Sequence, residues 1–529
     1  MKIKLLYLPR YSTSVNDPGH KTLAGIPFLP PLGIATLTGY LKKHHINVVQ
    51  DDLLIKVAYH NSKSSNKKIN LEIFNDKKRI EKFVKTGYDS ELEKEGEKIL
   101  SLTKVKGVDI VGFSIYDTHN PSSAGIAMVL GKLIKEKYGT TILIGGRGIY
   151  EEVVKILLKS KFIDYKLEDE ISLLDFCETF EDGLNLSKVR GIRYLSPQGN
   201  IIHFDTRNEL QVITRPIPRP SFDGLPLNLY KPRISFDFNG EKCKYKILAL
   251  PYIFVRNCPN GCAFCSLGLL PFYSAKKPEE VVADLEYLSR KYRTKYFFFI
   301  NSSINPKRVY AEAIVKEFKK NDLQIFWSDS ATFSEMTPQL VTQLKEIGAV
   351  KLFFGIESAS RRILKYINKP YFTIKHAEKI LKKAYEAGIY NELDIICGFP
   401  YETKKDIEIT VNFIKRNIKY IQDFSFFKFW LDGKIKAYPE KYGIKIRHIE
   451  EKVCRAGSKI AFDEINGLTW EEKVKQVEEH YNMLEKIHEE VNKKSHFPPL
   501  MKKEEASFIH FMKVWNNPYM LSEILRTKI

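Results

Sequence analysis

Short apolar runs alternate with amphipathic segments over the first third of the chain, a pattern typical of a parallel sheet wrapped by helices. Strands are predicted at "IKLLYL", "INVVQ", "VDIVGFS" and "TILIGG". The segments "PPLGIATLTGYLKKHH" and "AGIAMVLGKLIKEKYG" place apolar residues on one helical face. The pattern predicts a doubly wound, Rossmann-like domain over residues 1–185.

The pattern changes after this domain. Residues 186–245 contain a predicted hairpin over a Gln-Gly turn, "GIRYLSPQGNIIHFD", and a proline-rich connector, "RPIPRPSFDGLPLNLY", and we interpret them as a linker. Six apolar runs then alternate with amphipathic helices over residues 246–445, which predicts a partial (β/α)6 barrel of the TIM type. Residues 446–529 are predicted to be mainly helical, and we expect these helices to cover the barrel mouth and contribute substrate contacts. The predicted fold class is therefore α/β, with a helical C-terminal domain.

Length and cysteine content limit the classes of protein to consider. A chain of 529 residues exceeds the usual size of a single core, so several domains are expected. We find no signal peptide and no apolar stretch of membrane-spanning length. Seven cysteines, three of them clustered, argue for a reducing compartment, so we expect a cytoplasmic protein without a membrane partner.

The formal net charge of +20 is compatible with an anionic partner such as nucleic acid. However, the lysines are spread along the chain, and no arginine-rich arm or basic motif with interleaved aromatic residues is visible. A solvated basic surface explains this composition more simply, although nucleic-acid binding stays open.

The segment "RNCPNGCAFCSLG" places Cys258, Cys262 and Cys265 within eight positions. Three thiolates on a loop that can bend tightly at Pro259 and Gly261 can bind three irons of a cubane cluster, leaving the fourth iron open. A zinc site is the main alternative, but it requires a fourth protein ligand, and none is evident nearby. Three unrelated buried cysteines are the remaining alternative.

The C-x3-C-x2-C motif has Phe264 just before its last cysteine and lies at the end of the first barrel strand. In both respects it closely resembles the motif of the radical S-adenosylmethionine (AdoMet) enzymes. The resemblance implies a [4Fe-4S] cluster on the three cysteines, with AdoMet chelating the open iron. It further implies one-electron cleavage of AdoMet to a 5′-deoxyadenosyl radical, and an electron donor such as flavodoxin or ferredoxin.

Two later segments carry the same resemblance. "FFGIESASRRIL" looks like the family's G-I-E-S element, and "DIICGFPYET" resembles its fifth-strand element near the adenine, with Glu402 in the following turn. Taken alone, Glu357 could be a charge that favours a helix N-terminus. The AdoMet contacts implied by the resemblance are Phe264, Asn301, Ser328, Gly355, Glu357, Ser358, Ile395 and Gly398.

Two positions depart from the family pattern. Asn301 stands where many relatives carry an acidic residue, which puts the usual contact to the AdoMet amino group in doubt. The sixth strand lacks the Gly-Thr of many relatives, and it looks more like radical enzymes that modify peptides or build natural products.

The first domain resembles the cobalamin-binding domain that precedes the barrel in one large subgroup. The resemblance implies cobalamin contacts from Pro31, Leu32, Ser114, Tyr116, Gly145 and Gly146. The D-x-H-x-x-G motif that supplies a cobalt ligand is absent, so we expect no histidine on the lower face, and we assign Asp117 and His119 to the loop or cleft wall. The alternative is a domain that retains the fold without the cofactor.

The sequence as a whole predicts a cobalamin-dependent radical AdoMet enzyme that methylates an unactivated carbon of a peptide or small natural-product substrate. A radical rearrangement, epimerisation or ring formation without methyl transfer is the first alternative. A nucleic-acid-binding protein with a structural Fe-S or zinc site is the second. Trp470, Tyr481 and Trp515 in the last segment are interpreted as packing residues.

Overall fold

The computed structural model describes residues 1–10, 29–64, 67–115, 121–146, 149, 151–204, 214–369, 372–447, 460–494 and 496–515. Seven strands form its first sheet: β1 Lys2–Tyr7, β2 Asn47–Asp52, β3 Ile110–Ser114, β4 Thr141–Gly145, β5 Tyr165–Leu167, β6 Ile192–Leu195 and β7 Ile201–Phe204. The order is β2-β1-β3-β4-β5-β6-β7, and the first five strands are parallel. The doubly wound domain is therefore confirmed.

Helices cover the faces of this sheet: α1 Leu32–Lys43, α2 Leu53–Lys63, α3 Lys77–Thr86, α4 Ser90–Leu100, α5 Pro121–Tyr138, α6 Glu151–Lys159 and α7 Glu170–Glu181. Their apolar stripes are buried, as Ile34 and Leu41 of α1 illustrate. Asp52 begins α2, because its carboxylate accepts the Ile55 amide at 3.0 Å.

The hairpin β6–β7 extends this sheet, whereas the sequence placed it in the linker. Strand β6 pairs antiparallel with β5, and β7 pairs antiparallel with β6. The hairpin covers an edge of β5 that would otherwise leave unpaired backbone groups.

The proline-rich connector joins the two large domains through Asp223. Its carboxylate accepts Lys42 Nζ of α1 at 2.9 Å and Lys291 Nζ of the barrel at 2.6 Å. Gln50 of β2 donates to the carbonyls of Ser221 and Asp223 at 2.6 and 2.9 Å. The connector therefore follows the surface of the first domain and fixes it against the barrel.

Six parallel strands form the second large sheet: β10 Ala249–Tyr252, β13 Tyr296–Phe299, β14 Phe326–Ala331, β15 Ala349–Glu357, β16 Tyr390–Cys397 and β17 Asp423–Lys428, in that spatial order. Two antiparallel hairpins precede or interrupt it: β8 Arg233–Phe238 with β9 Glu241–Lys246, and β11 Val255–Asn257 with β12 Tyr273–Ala275. The partial (β/α)6 barrel is confirmed.

The helices of the barrel alternate with these strands: α8 Pro278–Tyr292, α9 Arg308–Lys320, α10 Pro338–Glu346, α11 Arg361–Tyr366, α12 Ile374–Glu386, α13 Lys404–Arg416 and α14 Gly433–Ala437. Side chains that point outward from the strands are buried against these helices, as in the stacked pair Phe299 and Trp327, whose ring centroids lie 5.2 Å apart. Phe298 and Phe353 point inward and pack across the barrel at 5.9 Å.

The last part of the chain contains the hairpin β18 Ile444–Ile446 with β19 Phe462–Glu464, and the helices α15 Trp470–Lys494 and α16 Lys503–Trp515. Helix α15 lies along the open edge of β17, where Tyr481 packs on Phe426 with ring centroids 4.8 Å apart. The packing role predicted for Tyr481 agrees with this contact.

Helix α16 lies at the opposite end of the barrel from the mouth, so the expectation that the last helices cover the mouth is wrong for α16. Phe508 packs on Tyr296, the first residue of β13, at 5.4 Å, and Glu505 accepts Lys345 Nζ at 2.7 Å. The aromatic side chains at the amino ends of the strands require cover, and α16 supplies it. No helix within the described ranges is long and apolar enough to span a membrane.

Candidate cluster and cofactor site

The three clustered cysteines lie on a loop, residues 258–272, at the carboxyl end of the first barrel strand. Pairing of β11 with β12 closes the base of this loop, with Asn257 opposite Tyr273. The Asn257 side chain donates to the Leu270 carbonyl at 2.7 Å, across the same base. The loop is therefore anchored where it leaves the barrel and where it returns.

Tight turns shape the part of the loop that carries Cys262 and Cys265. The Cys265 amide donates to the Cys262 carbonyl at 3.3 Å, and the Gly268 amide donates to the Cys265 carbonyl at 2.9 Å. A Cβ on Gly268 would lie 3.1 Å from the backbone N and C of Cys262 and closer still to its carbonyl oxygen, so the turn requires glycine. The sequence interpretation missed this role, for which a glycine three residues after the last cysteine is the only signal.

The electrostatics of the thiols agree with a common site. Burial raises the pKa of all three thiols, that of Cys262 to about 11, and the neighbouring thiols add to the shifts of Cys258 and Cys262. Among the described residues, no three His, Cys, Asp or Glu side chains converge on a point that could hold one metal ion. A cubane cluster does not require such convergence, because each thiolate binds a different iron.

Two other segments support the cysteine loop from outside. The Ile367 carbonyl, after α11, accepts the Ala263 amide at 2.8 Å, and Asn368 donates to the Gly261 carbonyl at 2.7 Å. On the other side, the Ile435 amide of α14 donates to the Ala263 carbonyl at 3.0 Å. The conformation of the loop therefore depends on residues more than a hundred positions away.

Glu357 lies at the end of β15 beside this loop and forms an ion pair with Lys369. The two charged atoms are 2.6 Å apart, and Glu357 has a left-handed backbone, with φ of 61°. Burial opposes the charge of Lys369, but Glu357 and then Cys262 raise its pKa above the usual value. Lys369, which the sequence interpretation missed, therefore places a fixed positive charge between the predicted AdoMet contact and the cluster cysteines.

Asp394 is a second residue that the sequence interpretation missed. It lies opposite Gly355 in the register of β15 and β16, on the inward face of the barrel. Burial, with the negative charges of Glu357 and Glu392, raises its pKa to about 7. Strand alternation could have found it, since Glu392 and Asp394 are two residues apart on one face.

The other predicted AdoMet contacts differ in whether their polar or aromatic groups already have partners within the protein. Phe264 packs edge to face on Phe399 at 5.7 Å, and Gly398 donates its amide to Glu402 at 2.6 Å. The hydroxyl of Ser328 is buried without a hydrogen-bond partner, so it can accept or donate to a bound molecule. Ser358 already accepts the Ser360 amide at 3.1 Å.

Two predicted AdoMet contacts need correction in how they could act. The side chain of Ile395 lies in the core outside the barrel and is fully buried, so only its backbone can face a ligand. The side-chain oxygen of Asn301 accepts hydrogen bonds from the backbone amides of Phe254 and Val255, both at 2.9 Å. Its side-chain nitrogen donates to Asp329 at 2.7 Å. Asn301 thus holds the strand that leads into the cysteine loop, and one amide hydrogen is left for a ligand.

The predicted cobalamin contacts lie at the carboxyl edge of the first sheet. Ser114 and Gly145 are opposite each other at the ends of β3 and β4, and Pro31 and Leu32 begin α1. A Cβ on Gly146 would lie 3.2 Å from the Ile115 amide nitrogen and closer to its carbonyl oxygen. Packing against its own chain therefore already requires this glycine. The predicted contact Tyr116, together with Asp117 and His119, lies outside the described residues.

Charged side chains join this edge to the cysteine loop. Glu170, the first residue of α7 after β5, accepts Arg256 Nη2 at 2.9 Å, and Arg256 is two residues before Cys258. Arg215 of the connector lies 3.1 Å from the same carboxylate and also pairs with Asp169. The edge that would hold a cofactor of the first domain therefore meets the loop that would hold a cluster.

Comparison with known proteins agrees with this geometry. Residues 252–414 match the model of the Radical SAM superfamily. An uncharacterized methyltransferase of Pyrococcus horikoshii is 29% identical over 261 residues, which cover 48% of this chain and 53% of that protein. The chain thus spans about half the length of this curated relative.

Two solved structures share the fold. The radical AdoMet methyltransferase TsrM from Kitasatospora setae, with cobalamin and a [4Fe-4S] cluster bound, has a TM-score of 0.62 at 13% identity, covering 99% of both chains. The cobalamin-dependent radical AdoMet enzyme OxsB, with aqua-cobalamin and AdoMet bound, has a TM-score of 0.54 at 16% identity, covering 93% of this chain and 56% of that one.

Residues 252–414 are therefore a radical SAM domain. The resemblance to the radical AdoMet enzymes is thus confirmed for the barrel, and the whole chain, with a doubly wound domain before the barrel and helices after it, shares the fold of TsrM.

Proposed function

We propose that the protein is a cobalamin-dependent radical AdoMet methyltransferase acting on an unactivated carbon. The observation that carries this proposal is the contact between Glu170 and Arg256, which joins the carboxyl edge of the first sheet to the cysteine loop. A methyl-transferring radical enzyme must bring its two cofactors and its substrate to one place, and this junction would bring the two cofactor sites together.

The residues fit the implied cofactors. Three thiols on an anchored loop are the donor set of a [4Fe-4S] cluster with one open iron, so Cys258, Cys262 and Cys265 would hold it. The unpartnered Ser328 hydroxyl and the Glu357 carboxylate offer polar contacts for AdoMet. Ser114, Gly145 and the start of α1 line the edge where cobalamin would lie.

When bound, the cluster would supply the electron that cleaves AdoMet to a 5′-deoxyadenosyl radical, and cobalamin would supply the methyl group. The chain's own residues position these groups. Lys369 holds Glu357 in place with a fixed charge, and Asn301 orients the strand before the cysteines. Glu170 and Arg256 hold the first domain against the cysteine loop.

The peptide or natural-product substrate, the flavodoxin or ferredoxin donor and the cytoplasmic location stay predictions, as do the domain boundaries at residues 245 and 445. A bacteriochlorophyllide d methyltransferase of Chlorobaculum tepidum is 25% identical over 193 residues, covering 35% of this chain and 41% of that protein. Its name supports methyl transfer to carbon as the reaction to test first.

The test is an anaerobic preparation reconstituted with iron, sulfide and hydroxocobalamin and assayed with AdoMet and dithionite. We expect the wild type to bind cobalamin and form 5′-deoxyadenosine. Cys262→Ala should form no 5′-deoxyadenosine, and Cys243→Ala, a matched control in β9, should form the wild-type amount. Methyl gain in a candidate substrate, with S-adenosylhomocysteine as coproduct, would support methylation.

Other results would redirect or refute the proposal. Deoxyadenosine formation without bound cobalamin would favour a radical enzyme that transfers no methyl group. No AdoMet cleavage by protein with a full cluster, together with steeply salt-dependent binding of RNA or DNA, would favour the nucleic-acid-binding alternative.

A further inference from the structure

A group of exposed basic side chains lies directly outside the cysteine loop. It consists of Arg361, Lys365, Lys436, Lys441 and Lys445, which we call the basic face. Residues 361–369 and 433–447 together contain nine Lys and Arg residues and a single acidic residue, Glu440. This local excess of positive charge is far larger than the average of 84 basic to 64 acidic residues over the whole chain.

The five side chains of the basic face have no ion-pair partner among the residues that the structure describes. Within the described residues, carboxylates pair with the neighbouring Arg362, Lys369 and Arg447, as in the 2.6 Å pair of Lys369 with Glu357. No carboxylate in the described part of the chain lies within 4.0 Å of a charged atom of the basic face. These charges are therefore available to a partner.

The two segments form one continuous surface. The Tyr366 hydroxyl of α11 donates to the Tyr442 carbonyl at 2.8 Å, and the rings of these two tyrosines pack edge to face at 5.9 Å. Tyr438, which lies between Lys436 and Lys441 in the sequence, is 58% exposed. The surface thus combines unpaired positive charge with an exposed aromatic ring.

The same two segments hold the cysteine loop. The Ile367 carbonyl accepts the Ala263 amide at 2.8 Å, and the Ile435 amide donates to the Ala263 carbonyl at 3.0 Å. The segments that carry Lys365 and Lys436 therefore contact the backbone of the cysteine loop directly. Short separation is what an electron donor requires, whereas nucleic-acid binding gives no reason for the charge to lie behind this loop.

We propose that the basic face is the docking site for an acidic one-electron carrier protein, such as a flavodoxin, that reduces the cluster. This inference rests on the proposed function, because a cluster that cleaves AdoMet takes up one electron for each cleavage, whereas a structural cluster needs no reductant. One electron leaves the carrier and enters the cluster, so the carrier is oxidised by one electron, the cluster is reduced by one electron, and no bond is formed or broken.

The test compares two reductants on the reconstituted full-length protein. Dithionite is a small anion that needs no docking surface, whereas reduced flavodoxin is an acidic protein. The variant carries Lys436→Glu, Lys441→Glu and Lys445→Glu. The matched control carries Lys78→Glu, Lys82→Glu and Lys94→Glu, three exposed lysines of α3 and α4 in the first domain.

We expect the basic-face variant to form 5′-deoxyadenosine at the wild-type rate with dithionite. With limiting flavodoxin at low salt, its rate should fall about tenfold to a hundredfold, and the difference from wild type should shrink as salt is added. The control variant should resemble the wild type with both reductants. Neutral Lys→Gln substitutions at the same three positions should have an intermediate effect.

Equal loss of rate with both reductants would mean that the substitutions damage the cluster loop. The iron content would then report that damage, and the flavodoxin kinetics of the Lys→Gln variant would test the docking proposal instead. Wild-type flavodoxin kinetics in a fully loaded Lys→Glu variant would overturn the docking proposal, as would RNA binding lost in that variant while flavodoxin kinetics stay unchanged. Absence of deoxyadenosine with dithionite in the wild type would instead refute the proposed function.

Discussion

The turn that carries the cysteines depends on the absence of a side chain at Gly268. In Gly268→Ala, the new Cβ would lie 3.1 Å from the backbone N and C of Cys262 and closer to its carbonyl oxygen. Carbon and oxygen atoms in contact ordinarily lie about 3.3 Å or more apart, so the loop must move by up to about 1 Å. Such overpacking costs about 1–3 kcal/mol, and here it falls on the loop that must hold three irons.

At about 1.4 kcal/mol for each factor of ten, the expected loss of cluster affinity in Gly268→Ala is about tenfold to a hundredfold. Iron and sulfide content after reconstitution at limiting iron measures this loss, and the thermal midpoint of the apoprotein reports the fold separately. Gly139→Ala is the control for replacing a glycine. Gly139 has a left-handed backbone, with φ of 65°, but no atom lies within 4 Å of its Cβ position. Full iron content and wild-type AdoMet cleavage in Gly268→Ala would refute the steric argument.

Three further predictions test charged groups. Glu170→Gln should weaken the junction with Arg256 by about 2 kcal/mol and raise the ratio of deoxyadenosine to methylated product, and an unchanged ratio would contradict the positioning role. Burial is the chief cause that raises the pKa of Asp52 in the folded protein from 3.8 to about 6. Its contribution to the free energy of unfolding is therefore full below about pH 4 and is lost as the pH rises through about 6. The loss amounts to about 3 kcal/mol. Urea unfolding of Asp52→Asn should lack this decline, and a decline equal to that of the wild type would exclude Asp52 as its source. Asp394 gains negative charge as the pH rises through about 7, so AdoMet affinity should increase several-fold over that range in the wild type and stay flat in Asp394→Asn, as equilibrium dialysis can measure.

Periodicity and spacing were enough to predict the order of domains and the cysteine site. Apolar runs such as "KYFFFI" and "VKLFFG" alternate with amphipathic helices. This order identifies parallel strands, because neighbouring parallel strands are joined by a crossover helix. The same pattern could not place α16, since an apolar stripe shows that a helix packs but not on which end of the barrel. Nor could it show that the hairpin β6–β7 continues the first sheet.

The site was predictable where chemistry requires a local motif. Cys258, Cys262 and Cys265 are such a motif, whereas Lys369 reaches Glu357 only because α11 returns the chain to the loop. Asn301 illustrates the opposite case. Its contact with AdoMet stays a prediction, and its side-chain oxygen is occupied by two backbone amides that no sequence pattern reveals.

The position of α16 has a consequence for the order of events during turnover. Phe508 and its neighbours pack on the amino end of the barrel, so in the proposed reaction AdoMet and the substrate would enter, and their products would leave, at the carboxyl end. A methylation that uses one AdoMet to recharge cobalamin and another to make the radical would therefore have to clear the first product before admitting the second molecule. Release of that product would then limit the rate of the cycle.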